Sequence, residues 1–153
     1  MKGNEIEKDP CEFCRILRNP ITAKTKLLYS DDNFFAFEDI TKATAKEHIL
    51  VCTKSHIETA QDVQDKNILY EMKEKGRKIL DEICEKEGWH QEYRFGFHLR
   101  PYNSIDHIHL HCFVLPFASL IKDKIVYGKM LTKVEEVVLK LNDKKMEESL
   151  GRL

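Results

Sequence analysis

The stretch Ser104-Ile105-Asp106-His107-Ile108-His109-Leu110-His111-Cys112-Phe113-Val114 sets a histidine at every second position and fills the gaps with apolar residues. A β-strand alternates its side chains between two faces at about 3.3 Å per residue, so the pattern puts three imidazoles on one face, roughly 6 to 7 Å apart. Ile108, Leu110, Cys112 and Val114 then point the other way, into a core. Buried imidazoles need hydrogen-bond partners, and mutual repulsion opposes charging all three. At least one neutral imidazole is therefore expected near pH 7, fit to act as nucleophile, base or metal ligand. Spacing alone leaves zinc binding and phosphoryl chemistry both open.

Upstream of the histidines, Arg100-Pro101-Tyr102-Asn103-Ser104 reads as a loop, since Pro101 has no amide hydrogen for a ladder, and Tyr93 to Leu99 reads as a strand. Lys26 to Tyr29 and Phe34 to Phe37 flank the turn residues Ser30-Asp31-Asp32-Asn33, the signature of a hairpin, with Asp39 just beyond. His48 to Cys52 predicts a buried strand that ends at the polar turn Thr53-Lys54-Ser55-His56. From Asp65 to Lys86, Ile68, Leu69, Met72, Ile79, Leu80 and Ile83 recur at helical spacing. Gly76 weakens the middle of that helix and Gly88 stops it. Thr132-Lys133-Val134-Glu135 has the spacing of a capping box, which predicts a C-terminal helix that frays through the charged segment from Asn142 to Leu153. The order is that of an α+β domain with a largely antiparallel sheet. The long helix is expected to lie across the face opposite the imidazoles.

At 153 residues the chain suits one domain, read here as residues 11–145 between a flexible leader (1–10) and a polar tail (146–153). Lys plus Arg number 25 against 26 Asp plus Glu, so no global basic field recruits nucleic acid, and any nucleotide must be recognised locally. The N-terminus is polar, and no stretch approaches the roughly 20 apolar residues of a membrane span, so a cytoplasmic and nuclear soluble chain is expected. Five cysteines, an odd number, fit reduced thiols, with Cys52, Cys84 and Cys112 as packing residues.

The segment His107-Ile108-His109-Leu110-His111-Cys112-Phe113 resembles the signature of the histidine triad family, in which histidines alternate with apolar residues. Phe37-Glu38-Asp39-Ile40, His48-Ile49-Leu50-Val51 and Lys54-Ser55-His56-Ile57 resemble further blocks of the family in the same order, over roughly residues 11 to 115. Cys11-Glu12-Phe13-Cys14 and Phe95-Gly96-Phe97-His98 followed by Ser104 look most like the third subgroup of Hint proteins, adenosine phosphoramidases related to aprataxin. The resemblance implies that His109 is the nucleophile, accepting the nucleotide on its imidazole until water cleaves it off, and that His111 orients that ring. It implies that His48 and His107 line the phosphate side, that Ser104 hydrogen-bonds the phosphate or the leaving amine, and that Asp39 binds the ribose. Ile40, His98 and Asn103 complete the implied nucleotide-binding set. No cofactor is required by that chemistry.

Cys11-x-x-Cys14 is by itself half a zinc site. By analogy with relatives that join such a pair to two histidines, Cys11, Cys14, His56 and His107 would hold a structural zinc ion. His107 is thus left between a phosphate contact and a zinc ligand. The implied partners are a purine nucleotide (AMP or an adenosine phosphoramidate) and a second copy of the chain, as in the dimers of the Hint branch. Three departures stand out: Ile40 to Glu47 lacks the family's prolines, His98 replaces a common Asn, and Thr53 a common proline. Lys122, Lys124 and Lys129 form either a basic rim for phosphates or a solvated face. The alternatives to phosphoramidase activity are aprataxin-like deadenylation of nucleic-acid ends and a non-catalytic AMP-binding module.

Overall fold

The computed structural model describes residues 10–20, 25–39, 45–119 and 124–151. In chain order its elements are α1 (Glu12–Arg18), β1 (Leu27–Ser30), β2 (Phe34–Glu38), β3 (Ala45–Thr53), α2 (Asn67–Glu87), β4 (Tyr93–His98), β5 (His109–Phe117), β6 (Leu131–Thr132) and α3 (Val134–Leu150). A 3-10 turn, Ala60–Asp62, precedes α2, and a π-helical segment, Lys124–Lys129, precedes β6. The strands form one sheet in the order β1-β2-β3-β5-β4-β6, and every pair is antiparallel. This is the α+β architecture expected from the sequence. Among the described residues no helix is long and apolar enough to cross a membrane.

The pleat sorts the residues of β3 and β5 onto two faces. Ile49 and Val51 of β3, with Leu110, Cys112 and Val114 of β5, enter the main core beneath α2, where Leu69, Met72 and Leu80 are fully buried. His48, Leu50 and Cys52 alternate with them, and the register sets these opposite Phe113, His111 and His109. That second face holds a smaller cluster, in which Phe13 and Ile16 of α1 pack on Phe35, Phe37, Leu50 and Cys52. One face of the sheet thus supplies stability while the other is left for chemistry.

Gly76 is buried in the middle of α2, facing Cys112 of β5. A Cβ at this position would lie 2.6 Å from Cys112 Sγ, with Phe95 and Val51 also within 3.5 Å. The glycine that weakens the helix by propensity is therefore what allows it to sit so near the histidine strand. Gly88 ends the helix as expected, at φ 69°, its amide donating back to the Cys84 carbonyl.

Four expectations change. The histidine strand begins at His109, because the His107 carbonyl is taken by the His109 ring and residues 104–107 form bends. β3 starts earlier than expected, at Ala45. Thr132 is no cap: it pairs with Phe97 in β6, and α3 starts after Lys133 with no side-chain cap. A capping box is found instead at Thr59, ahead of the 3-10 turn, where the Thr59 hydroxyl accepts from the Gln61 amide while Asp62 accepts from the Thr59 amide. The segment expected to fray from Asn142 stays helical to Leu150.

Gly76→Ala gains about 1 kcal/mol of helix propensity but meets the cost of overpacking, typically about 1 to 3 kcal/mol. A net loss of stability in urea unfolding is expected. Adding Cys112→Ala should recover most of it, and a double variant no better than Gly76→Ala would show that the sulfur is not the obstacle.

Candidate active site

β5 opens with the bond that defines the site. His109 Nδ1 lies 2.7 Å from the His107 carbonyl oxygen. A carbonyl only accepts, so Nδ1 carries the hydrogen, and a neutral imidazole has just one. Nε2 is then left as a bare lone pair. Burial holds the ring neutral, pushing its pKa down to about 4 even though the His107 carbonyl favours the charged form.

His111 follows on the same face and is linked across the sheet to His48: the His48 Nε2 to His111 Nδ1 distance is 3.0 Å. His48 Nδ1 faces Asp39 Oδ2 at 3.5 Å. Asp39 is itself fixed just past β2, its amide donating to the His48 carbonyl at 3.0 Å. Burial pushes His48 down to about 4, outweighing the nearby Asp39 carboxylate. Burial first, and then the neighbouring imidazoles, hold His111 well below its ordinary value. Among the described residues, His48 Nδ1 and His111 Nε2 are buried with no hydrogen-bond partner. A carboxylate beside His48 Nδ1 favours a hydrogen there, which makes His48 Nε2 an acceptor for His111 Nδ1–H and leaves His111 Nε2 as a lone pair.

A cleft of about 520 Å³ runs past these rings, lined by Asp39, His98, Ser104, His109 and His111 together with apolar Phe13, Ile16, Phe37 and Leu50. His98 Nε2 donates to the Val126 carbonyl at 3.0 Å, so this ring holds the segment after β5 against the site. Tyr127, next in that segment, stacks on His98 at 5.5 Å and approaches His111 at 5.8 Å. Sequence reasoning missed Tyr127, which lies in a stretch without periodicity. It also missed Phe13 and Ile16 as walls, although they alternate with the flagged cysteines. Asn103, in contrast, is bonded to Asp106 and borders a small neighbouring crevice rather than the cleft. Ile40 and Lys122 lie outside the described residues, and Lys129 is exposed.

The second histidine expected on the phosphate side, His107, points elsewhere. His107 is fully buried, its Nε2 donating to the Thr53 carbonyl at 2.8 Å, which leaves Nδ1 as a lone pair. That lone pair faces Cys11 Sγ at 3.3 Å, Cys14 Sγ at 3.5 Å and His56 Nδ1 at 3.2 Å, and Cys14 Sγ lies 3.6 Å from His56 Nδ1. A tetrahedral zinc ion with ordinary bond lengths has N···N edges of about 3.3 Å and S···N edges of about 3.6 Å. The four distances just given match those edges, all four donor atoms lie within 4.8 Å of one another, and the Thr53 carbonyl supplies the outer contact that fixes a ligating imidazole. His107 therefore belongs with the thiols, and its alternative as a phosphate contact is not met: both ring nitrogens are already directed away from the cleft.

Comparison with known proteins supports the fold. The family described as scavenger mRNA decapping enzyme C-term binding matches residues 10–127. The chain is 43% identical over 107 residues to an Arabidopsis thaliana protein named bifunctional adenosine 5'-phosphosulfate phosphorylase/adenylylsulfatase HINT4, covering 70% of this chain and 71% of that one. It is 35% identical over 105 residues to the Xenopus tropicalis adenosine 5'-monophosphoramidase HINT3, covering 66% and 65% respectively. A HIT family hydrolase from Legionella pneumophila superposes with a TM-score of 0.58 at 28% identity, over 72% of this chain and 97% of its own. The chain belongs to the histidine triad family, in its Hint branch.

The depressed pKa of His48 makes stability depend on pH. Between about 4 and the ordinary 6.5 the unfolded chain binds a proton at this residue that the folded chain refuses. Stability is thus present above that window and lost on acidification through it, at up to about 1.4 kcal/mol per pH unit. Urea unfolding at pH 7 and pH 5 should show His48→Gln with a shallower dependence than the wild type, by roughly one proton. An equal slope would mean that His48 titrates normally in the fold.

Proposed function

We propose that the chain is a nucleotide hydrolase that releases AMP from adenosine 5'-phosphoramidates through a nucleotidyl intermediate on His109. The observation that carries the reading is the His109 Nδ1–H to His107 carbonyl bond of 2.7 Å, which aims an unprotonated Nε2 at the cleft without any base to activate it. In the first step Nε2 attacks phosphorus in line, the P–N bond breaks, and the amine departs hydrogen-bonded to Ser104 with a proton taken from solvent. The ring becomes cationic, and the His107 carbonyl stabilises the charge through the retained Nδ1–H. In the second step water attacks phosphorus and gives its proton to His111 Nε2, the Nε2–P bond breaks, and AMP leaves. Asp39 and His48 hold the His111 tautomer. Phe13, Ile16, Phe37 and Leu50 offer the purine an apolar wall, and Asp39, which also lines the cleft, is the acceptor for ribose hydroxyls.

The names of the relatives support this substrate class. The HINT3 relative is named for phosphoramidates, and the Arabidopsis relative for adenosine 5'-phosphosulfate, a mixed anhydride. Mixed anhydrides of AMP, acyl-adenylates among them, therefore belong in the same test. His109→Ala should lower kcat/KM for a fluorogenic adenosine phosphoramidate by a factor of about 10³ or more while AMP binding persists. Unchanged turnover would overturn the nucleophile, and faster release of AMP from adenylated DNA ends would favour the aprataxin-like alternative.

The second part of the proposal is zinc at Cys11, Cys14, His56 and His107, where it would join α1 to the turn after β3 and the entry to β5. Purified protein should contain close to one zinc ion per chain, and Cys14→Ser should lose it. Full occupancy in that variant would remove Cys14 from the ligand set.

A further inference from the structure

The thiol and imidazole cluster is not insulated from the cleft. Two of its four donors sit on α1, where Cys11 caps the helix by accepting from the Cys14 amide and Cys14 lies in the first turn. Phe13, between them, is 3% exposed and stands edge-on to the His109 ring at 4.9 Å and to Phe37 at 5.4 Å. Phe13, Glu12 and Ile16 all line the cleft, so the helix that carries the thiols is also a wall of the nucleotide site. Its seven residues fall well below the roughly 12 to 15 that a helix needs to persist unaided. A thiol is also a weaker cap than the preferred Ser or Asp. Phe13 and Ile16 packing on the sheet, and whatever binds its two thiols to His56 and His107, are therefore contacts on which the placement of α1 depends.

A second link runs through the backbone. His107 turns its ring to the thiols, while its carbonyl receives the His109 Nδ1–H. One residue thus belongs to the cluster by its side chain and to the nucleophile by its main chain.

We infer that zinc in the Cys11, Cys14, His56 and His107 cluster and a nucleotide in the cleft bind cooperatively, each raising the affinity for the other, because α1 and His107 are shared by both sites. The inference rests on the nucleotide reading above but not on turnover. Zinc pins α1 against the sheet, and that completes the Phe13 and Ile16 wall. The nucleotide, by filling the space against that wall, disfavours the outward movement of α1 that would separate the thiols from the two imidazoles. The coupling is reciprocal by thermodynamic necessity, and couplings of this kind are typically about 5- to 150-fold.

The test uses the full chain under reducing conditions, with AMP and zinc as probes. Calorimetric titration of AMP into zinc-loaded and metal-stripped protein should give a dissociation constant about tenfold weaker without the metal. Competition for zinc against a chromophoric chelator should show a zinc affinity raised by the same factor when AMP is saturating. The second measurement starts from the folded, loaded protein and so decides the matter even if the stripped chain unfolds. Phe13→Leu should still bind zinc but bring both factors towards one. Equal zinc affinity with and without AMP overturns the inference, and so does full coupling in Phe13→Leu, which would take the linkage away from α1. Zinc-loaded protein that binds AMP in this coupled way yet never hydrolyses an adenylated substrate would sink the hydrolase reading alone. A chain that binds AMP equally well in both metal states would sink the coupling alone.

Discussion

A single hydrogen bond, from the His109 ring to the carbonyl two residues earlier, organises this molecule. It fixes the tautomer of the imidazole, directs the lone pair outward and removes the His107 carbonyl from the sheet ladder, so that β5 begins where the chemistry begins. Burial then keeps the ring neutral at ordinary pH. A neutral imidazole with one nitrogen committed is already a nucleophile, and needs positioning more than activation.

The sheet makes this economical. Because side chains alternate, β3 and β5 present histidines on one face while their intervening residues anchor the core on the other. Three buried imidazoles carry a desolvation cost, and the apolar contacts directly behind them offset it within the same strands. The Asp39, His48 and His111 series runs across these strands at fixed register, so its spacing is set by backbone hydrogen bonds rather than by flexible side chains.

Much of this was legible in the sequence because it rests on periodicity. The alternation of His109 and His111 with apolar residues, the helical spacing around Leu69 to Ile83 and the hairpin turn at Ser30 to Asn33 are local patterns that tertiary context left intact. The family resemblance added the pairing of Cys11 and Cys14 with His56 and His107, which no spacing could have given, since the donors are up to 96 residues apart. What failed was equally physical. Thr132 had the chemistry of a cap but was drawn into pairing with Phe97, and His107 left the strand because a ring claimed its carbonyl. Tyr127 and the His98 contact with Val126 depend on how an aperiodic segment folds back, which carries no local signal.

The close approach of α2 at Gly76 has a bearing on motion. With only a hydrogen between the helix and Cys112, the strand that holds His109 and His111 is clamped from behind by the main core, the kind of region expected to open late. The walls of the cleft are built differently: α1 and the 124–129 segment are short, seven and six residues, and short elements are expected to open at a smaller cost. Amide exchange would therefore run slowest under the imidazoles and fastest in the walls around them. A ligand can enter and leave by displacing the walls, while the rings that act on it stay in register.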